Sequence, residues 1–485
     1  MLSSLAFTDV WLLPALLAIY LLGWIIYTLT FHPLSQIPGP YLAKYLLKIW
    51  TEDVEKDERT LHTKYGPLIR IAPNEISCSD PEAFATIYRF SNALDKAEFY
   101  EPYNTTGFSP NGDVFSCKSD KKHGQSRRIT SNIYSMTNVA KSEECINSCS
   151  NLPTERLGQF ADSGNPCDLG EWLHWYTFDI IGELFYGHAF GFVDEGKGQN
   201  DWIKSLDKMI PFVCLMGVGP RILRPFIGLG TMLSSTGEEI RNGVKNIGES
   251  SSRLMEEAYA SRIEAPRTDM AQQGDVEQES YGALFAGSDT TAIAFRSLFY
   301  HLMHNPEAYS RLEEEIDQAV DDGRLSMPAT YKQASQLPYL SARIKEALRV
   351  WPGAQLSLPR TVPPEGLTIC DRFIPGGYVV VGINAAVMHF DKKVFGQDAD
   401  SFNPDRWMEV ARANYRDKYM MAFGGGTRTC LGKNIALIEL YKLSPQLIRN
   451  YRFGFYDENK TQWHTRNTFF ARQEGIVVRV KHRKH

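Results

Sequence analysis

Between Asp80 and about Gly353, apolar residues recur at spacings of three and four. The run Trp172-Leu-His-Trp-Tyr-Thr-Phe-Asp-Ile-Ile-Gly-Glu-Leu-Phe185 has the period of a helix with one buried face. A long helix is expected from near Asp275, with Gln278 as a capping partner, to about His304, where Asn305-Pro306 stops it. That is about 30 residues, or roughly 45 Å. Strand-like alternation is scarce and is confined to Leu68–Ala72, Tyr378–Gly382 and Ile476–Val480. The pattern is mainly α with a minor β-sheet region. The N-terminus reads differently. Val10 to Leu29 carries no charge, and about 20 such residues suffice to cross a bilayer as a helix. Trp11 lies at one end and Trp24 and Tyr27 toward the other, as interfacial aromatics do. A cleaved signal peptide would need a basic start and a shorter apolar core, and Asp9 is the only charge before the run. The prolines of His32-Pro-Leu-Ser-Gln-Ile-Pro-Gly-Pro40 then forbid a continuous helix. The expected division is a membrane anchor over residues 1–31, a Pro-rich hinge over 32–41 and one large domain over 42–485.

Composition changes this picture little. The chain has 485 residues, 43% of them hydrophobic and 22% charged, enough for a large core. Its net charge of −5 gives no electrostatic footprint for nucleic acid. The 8 cysteines are scattered without a CxxC pair, which argues against a zinc ribbon and for unpaired thiols in a reducing compartment.

Cys430 stands apart. It lies between a glycine run and an apolar-periodic helix carrying Ile435, Leu437, Ile438, Leu440 and Leu443. Free N–H groups and the positive end of the helix dipole stabilise a thiolate there. Gly424, Gly425, Gly426 and Gly432 let the backbone approach something flat and bulky, and Arg428 adds a cation for a carboxylate. A phosphate loop would need Gly at 427 and Ser or Thr at 434, where the chain has Thr427 and Asn434. A Cys–His–Asn nucleophile pattern does not stand out either.

Phe423-Gly-Gly-Gly-Thr-Arg-Thr-Cys-Leu-Gly432 resembles the haem-binding signature of the cytochrome P450 family, matching it at Phe423, Gly426, Arg428, Cys430 and Gly432. The resemblance implies the cytochrome P450 fold, with haem b held by Cys430 as axial thiolate ligand of the iron. It extends to Glu346-Ala-Leu-Arg349 and to Phe402-Asn-Pro-Asp-Arg-Trp407, which imply a structural network of Glu346, Arg349 and Arg406 behind the cysteine loop. Ala286-Gly-Ser-Asp-Thr-Thr291 is similar to the family's oxygen-activation motif. There Thr290 would present its hydroxyl to bound oxygen and Asp289 would relay protons. Gly287 would remove bulk beside the haem, next to Ala286. By the same likeness Arg127, Arg360 and Arg428 would bind the haem propionates. His123 stands where the family often has Trp.

The resemblance spans nearly the whole chain. Between Met270 and the long helix the run Ala271–Ser280 is shorter than family members usually carry. Substrate-lining segments implied by likeness are Thr105–Phe115, Ile210–Pro225, Leu284–Ala286, Gly353–Ser357 and Thr468–Phe470, whose composition suits an apolar small molecule. Electrons would come from NADPH through a separate cytochrome P450 reductase, with cytochrome b5 as a second donor, because the chain has no flavin or nicotinamide fingerprint. Lys121, Lys122, Arg128, Lys392, Lys393 and Lys433 would steer an acidic reductase. The expected activity is monooxygenation in fungal secondary metabolism, on the cytosolic face of the endoplasmic reticulum membrane. The rival readings are an isomerase or dehydratase that uses no external electrons and a non-catalytic haem-binding paralogue.

Overall fold

The computed structural model describes residues 15–16, 19–20, 22–40, 54–104, 113–196, 202–261 and 273–484. The fold is mostly helical with small sheets, in line with the periodicity. At its centre runs the helix Gln273–His304. It starts two residues before the expected Asp275, so Asp275 and Gln278 lie inside it and not at a cap. It ends where expected: Asn305 breaks it and Pro306 opens the next helix at a position that needs no N–H. Every residue from Thr291 to Tyr300 is buried, which marks a helix surrounded by others.

The helix Leu169–Ile181 lies along it. Arg296 donates from Nε (3.1 Å) and Nη2 (2.8 Å) to the Gly170 carbonyl, and Thr177 Oγ1 donates to the Ser288 carbonyl at 2.7 Å. The helix Pro338–Val350 is capped from outside, where the Glu315 carboxylate accepts from the N–H groups of Tyr339 and Leu340, both at 2.8 Å.

One sheet has the strand order Leu68–Ala72, Glu75–Cys78, Val380–Gly382, Arg360–Thr361. The Glu75–Val380 pairing is parallel and the other two are antiparallel, which carries Arg360 onto the outer strand. A second sheet joins Cys167–Asp168, Val477–His482 and Tyr451–Phe455. All 8 cysteines are free thiols.

The N-terminal expectation is corrected. Among the described residues no helix is long and apolar enough to cross a membrane. Where the run Val10–Leu29 ends, the chain winds into a π-helical turn over Tyr27–Phe31 and joins the folded domain. Arg70 Nη1 donates to the Thr28 carbonyl at 2.8 Å, and the buried His32 ring meets Asn74 Oδ1 at 2.9 Å. A guanidinium bonded to this backbone is not a lipid-buried environment. The transmembrane helix, the membrane as a partner and single-pass placement in the endoplasmic reticulum therefore lose their basis. Residues 1–14, 17, 18 and 21 of that expectation lie outside the described residues, as do residue 41 of the hinge, 42–53 of the domain, 105–112 of the substrate segments and 271–272 of the short run. The Pro-rich segment lies against the first strand, Arg70 N–H donating to the Pro38 carbonyl at 2.8 Å.

Candidate functional site

Cys430 precedes the helix Lys433–Asn450, as its position after the glycine run implied. Its N–H donates to the Phe423 carbonyl at 2.8 Å, closing the loop on itself. The residue is exposed, while its loop neighbours Gly425 and Gly426 are buried. Burial pushes the thiol up. The N–H groups of Gly432 and Lys433 and the cation of Arg127 oppose that shift and favour the thiolate.

The glycines divide by function. A Cβ on Gly425 would lie 2.6 Å from the Phe84 ring, and one on Gly426, where φ is +64°, would lie 2.6 Å from the carbonyl oxygens of Tyr88 and Arg89. These two fit the loop against its protein neighbours. Only Gly432 opens toward the thiol, with Cys430 Sγ at 3.8 Å as the sole nearby atom.

On the long helix Ala286 is exposed, between the half-buried Phe285 and Gly287. Gly287 faces the other way. A Cβ there would lie 2.7 Å from Ile181 Cδ1, so this glycine permits close helix packing rather than clearing space beside a ligand. Thr290 Oγ1 donates to the Ala286 carbonyl at 2.7 Å. Asp289 is buried, and its Oδ1 lies 2.7 Å from His174 Nε2. Burial alone would raise the Asp289 carboxyl, but His174, Arg472 and Arg296 override it and hold the group well below the usual carboxylate range. Asp289 also borders a small, partly open cleft lined by Asp207, Ile210, Pro211, Arg466, Thr468, Phe470 and Arg472.

The basic residues converge. Arg428 Nη1 and Nη2 donate to the carbonyls of Cys117 (2.6 Å) and Lys118 (2.9 Å), while its buried Nε has no hydrogen-bond partner. Arg360 is buried and donates to Tyr100 Oη at 3.3 Å. His123 is buried with Nδ1 unpartnered. Its imidazole is pushed down to about 3 by burial and then by Arg428, Arg127, Lys96 and Arg360, so it stays neutral at physiological pH. Among the described residues neither Arg127 nor Arg360 has a carboxylate within ion-pair distance. Buried cations and orphaned nitrogens of this kind suit a group carrying its own carboxylates, and with the Cys430 thiol they make a donor set that fits haem b.

Glu346, Arg349 and Arg406 meet and are buried. Arg349 Nε and Nη2 reach the two Glu346 oxygens at 2.9 and 2.8 Å, and Arg406 Nε reaches Oε1 at 3.0 Å. His389, which no motif marked, ties this network to the cysteine loop. Its Nδ1 donates to the Arg349 carbonyl at 2.8 Å and its Nε2 accepts the Met421 N–H at 2.7 Å. Burial holds His389 down to about 3, and the neutral ring makes both bonds at once. His174 was also unmarked, because its partner is Asp289 on another helix.

Phe115, in one of the expected substrate segments, is 42% exposed and its ring meets Tyr103 and Phe469 edge-on, with centroids 5.6 and 6.1 Å apart. Lys121, Lys122, Arg128, Lys392, Lys393 and Lys433 are all exposed.

The sequence profile described as "Cytochrome P450" matches residues 33–479. The chain is 38% identical to cytochrome P450 monooxygenase gsfF of Penicillium aethiopicum, over 95% of this chain and 96% of that protein. It is 32% identical to a pisatin demethylase of Fusarium vanettenii, over 96% and 93% of the two chains. It is 33% identical to cytochrome P450 monooxygenase cicH of Emericella nidulans, over 93% and 94%.

Proposed function

On the premise that the chain belongs to the cytochrome P450 family and is a haem-thiolate monooxygenase that inserts oxygen into a small molecule, we propose that Cys430 is its iron ligand and Asp289 and Thr290 its proton-handling pair. The observation that supports this reading is the exposed Cys430, met by the N–H groups of Gly432 and Lys433 and accompanied by the buried Arg360 and His123 and by Arg428 with its unpartnered Nε; the reading sets a hollow for the cofactor between Cys430 and the exposed Ala286. Haem b, when bound there, supplies the iron centre at which dioxygen is activated and oxygen is transferred. The polypeptide does the rest. The N–H groups of Gly432 and Lys433 favour the Cys430 thiolate against the burial that opposes it, and Arg127, Arg360, Arg428 and the neutral His123 would bind the propionates. Asp289, held ionised by His174, Arg472 and Arg296, would relay protons between the cleft at Asp207 and the hollow only as those ion pairs open. Thr290 hands a proton on from its hydroxyl, which is parked on the Ala286 carbonyl until needed.

The substrate in this reading is an apolar small molecule of fungal secondary metabolism, held against the Phe115 face. All the relatives cited are fungal proteins, and one carries the name of a demethylase acting on pisatin. NADPH-derived electrons arrive through a separate reductase on the basic face around Lys121, Lys122, Lys392, Lys393 and Lys433. Residues 42–485 form the monooxygenase domain, with 32–41 leading into it.

The carbon monoxide difference spectrum of the reduced protein tests the ligand. A thiolate-type Soret band is expected, and an imidazole-type band would take Cys430 off the iron. The Thr290→Ala variant tests the proton pair. It is expected to bind haem normally and consume NADPH with reductase, but to release most of the electrons as hydrogen peroxide and little as product. The ratio of peroxide to NADPH reports this, and a wild-type ratio would remove Thr290 from proton handling.

A further inference from the structure

We propose that Glu58, Ser77 and His62 hold one proton in common and form a pH-sensitive clamp between the helix Val54–Tyr65 and the first sheet, which Asn384 extends to the segment Gly353–Ser357. The helix carries Glu58 and, one turn on, His62. Ser77 lies beside them on the strand Glu75–Cys78. All three side chains are buried. Ser77 Oγ is hydrogen-bonded to Glu58 Oε1 and, at 2.9 Å, to His62 Nε2. His62 Nδ1 lies 3.0 Å from the Gly66 carbonyl, which accepts and cannot donate, so the ring carries a proton on Nδ1.

Ser77 has one hydroxyl proton and two partners for it. With His62 neutral, Nε2 is an acceptor and takes that proton, and Glu58 Oε1 must bring a proton of its own to Ser77 Oγ. With Glu58 ionised, the carboxylate takes the Ser77 proton, and His62 must be doubly protonated to meet Ser77 Oγ. Either way the three groups hold one proton more than an ionised Glu58 and a neutral His62 would. The surroundings choose between the two forms. Burial raises the Glu58 carboxyl and lowers the His62 imidazole, against the hydrogen bonds from Asn384 and Ser77 and to Gly66. Among the described residues no cation lowers Glu58. Glu75, on the strand of Ser77, is itself pushed up to about 7 by burial and then by Glu58. Arg59 and Lys64 of the helix lie over the rings of Phe390 and Tyr65, and Arg70 of the first strand donates to the carbonyls of Thr28 and Pro73. The proton therefore resides on Glu58, in a run of neutral hydrogen bonds from Glu58 through Ser77 and His62 to Gly66. Glu346, by contrast, is paired with Arg349 and Arg406.

Asn384 extends the clamp. Its Nδ2 donates to Glu58 Oε2 at 2.7 Å and to the Gln355 carbonyl at 2.9 Å, and its Oδ1 accepts the Ala386 N–H at 2.8 Å. Gln355 belongs to the segment Gly353–Ser357, where a Cβ on Gly353 would lie 3.4 Å from Thr290 Cβ. Loss of the shared proton leaves one hydrogen between two acceptors at Ser77 and puts an uncompensated charge into a buried site. Water drawn to that charge competes for Asn384. A carboxyl raised in the folded state contributes stability that is present below its ordinary 4.5 and is lost as pH rises toward the folded value. His62, lowered from 6.5, acts the other way: its contribution is present above 6.5 and is lost as pH falls.

The test is thermal unfolding of the full chain and of Glu58→Gln from about pH 5 to about pH 8. Glutamine reproduces the protonated acid, its amide donating to Ser77 Oγ and its oxygen accepting from Asn384. Glu58→Gln is expected to melt within about 2 °C of wild type at the acid end and above it, by about 3 °C or more, at the alkaline end. A variant that melts well below wild type, or whose gap from wild type does not widen with pH, overturns the proposal. Should the variant not fold, the wild type decides. Its histidine ¹⁵N spectrum, with the His62 signal identified by its absence in His62→Gln, is expected to show a neutral ring protonated on Nδ1 at about pH 7. A doubly protonated ring overturns the neutral chain. Amide exchange over Gly353–Ser357, corrected for base catalysis, should quicken with pH in wild type and not in Glu58→Gln. The same response in both overturns the extension through Asn384.

Discussion

Replacing Cys430 by serine is expected to abolish oxygenation, lowering turnover by at least about a hundredfold, or about 2.7 kcal/mol on the barrier. The substitution changes one atom in a loop whose shape does not depend on it. The Cys430 N–H still meets the Phe423 carbonyl, and Gly425 and Gly426 still seat the loop against Phe84, Tyr88 and Arg89. What changes is the donor. A hydroxyl is far harder to deprotonate than a thiol, and the N–H groups of Gly432 and Lys433 with the Arg127 cation do not close that gap. The electron push of a thiolate is lost. Haem is expected to remain in part, since the propionate partners are untouched. Reductase-driven product formation and the carbon monoxide spectrum read the two effects separately. Product formation at the wild-type rate in a haem-replete Cys430→Ser protein would show that the thiolate is not needed.

The same contrast between loop and donor explains what could be read in advance. The cysteine loop, the Glu346–Arg349 pair and the Asp289–Thr290 pair are each contiguous, and the chemistry of each is written in neighbouring residues. The ends of the long helix were legible for a similar reason: Asn305-Pro306 is a local stop, and only the start moved, by two residues to Gln273. Partners chosen by the fold were not legible. His174 meets Asp289 only because two helices pack closely at Gly287, a glycine whose neighbour is Ile181 and not a ligand. His389 has no local signature, and its role comes from a carbonyl at Arg349 and an N–H at Met421, both distant in the chain. The N-terminal run failed for the opposite reason. Its apolar composition was clear, but composition does not reveal that Arg70 bonds the backbone at Thr28.

Glu346→Gln is expected to cost the protein about 3–5 kcal/mol, the scale of a buried ion pair broken from one side. The exchange barely alters volume, so packing is not the cause. Glu346 Oε1 accepts from Arg349 Nη2 at 2.8 Å, Arg406 Nε at 3.0 Å and the Asn403 N–H at 2.8 Å. Its Oε2 accepts from Arg349 Nε at 2.9 Å and Trp407 Nε1 at 2.8 Å. A glutamine offers one acceptor oxygen and turns an NH2 group toward donors, leaving Arg349 and Arg406 short of charge in a dry interior. Trp407→Phe removes a single donor to the same carboxylate and is expected to cost less, about 1.5–3 kcal/mol. The damage should travel along a defined route. Arg349 positions His389, and His389 holds the Met421 N–H two residues before Phe423. Thermal unfolding should therefore rank wild type above Trp407→Phe above Glu346→Gln, and haem content should fall in the same order even though neither residue touches the hollow. A Glu346→Gln protein that melts with wild type and keeps its haem would show that the network does not support the cysteine loop.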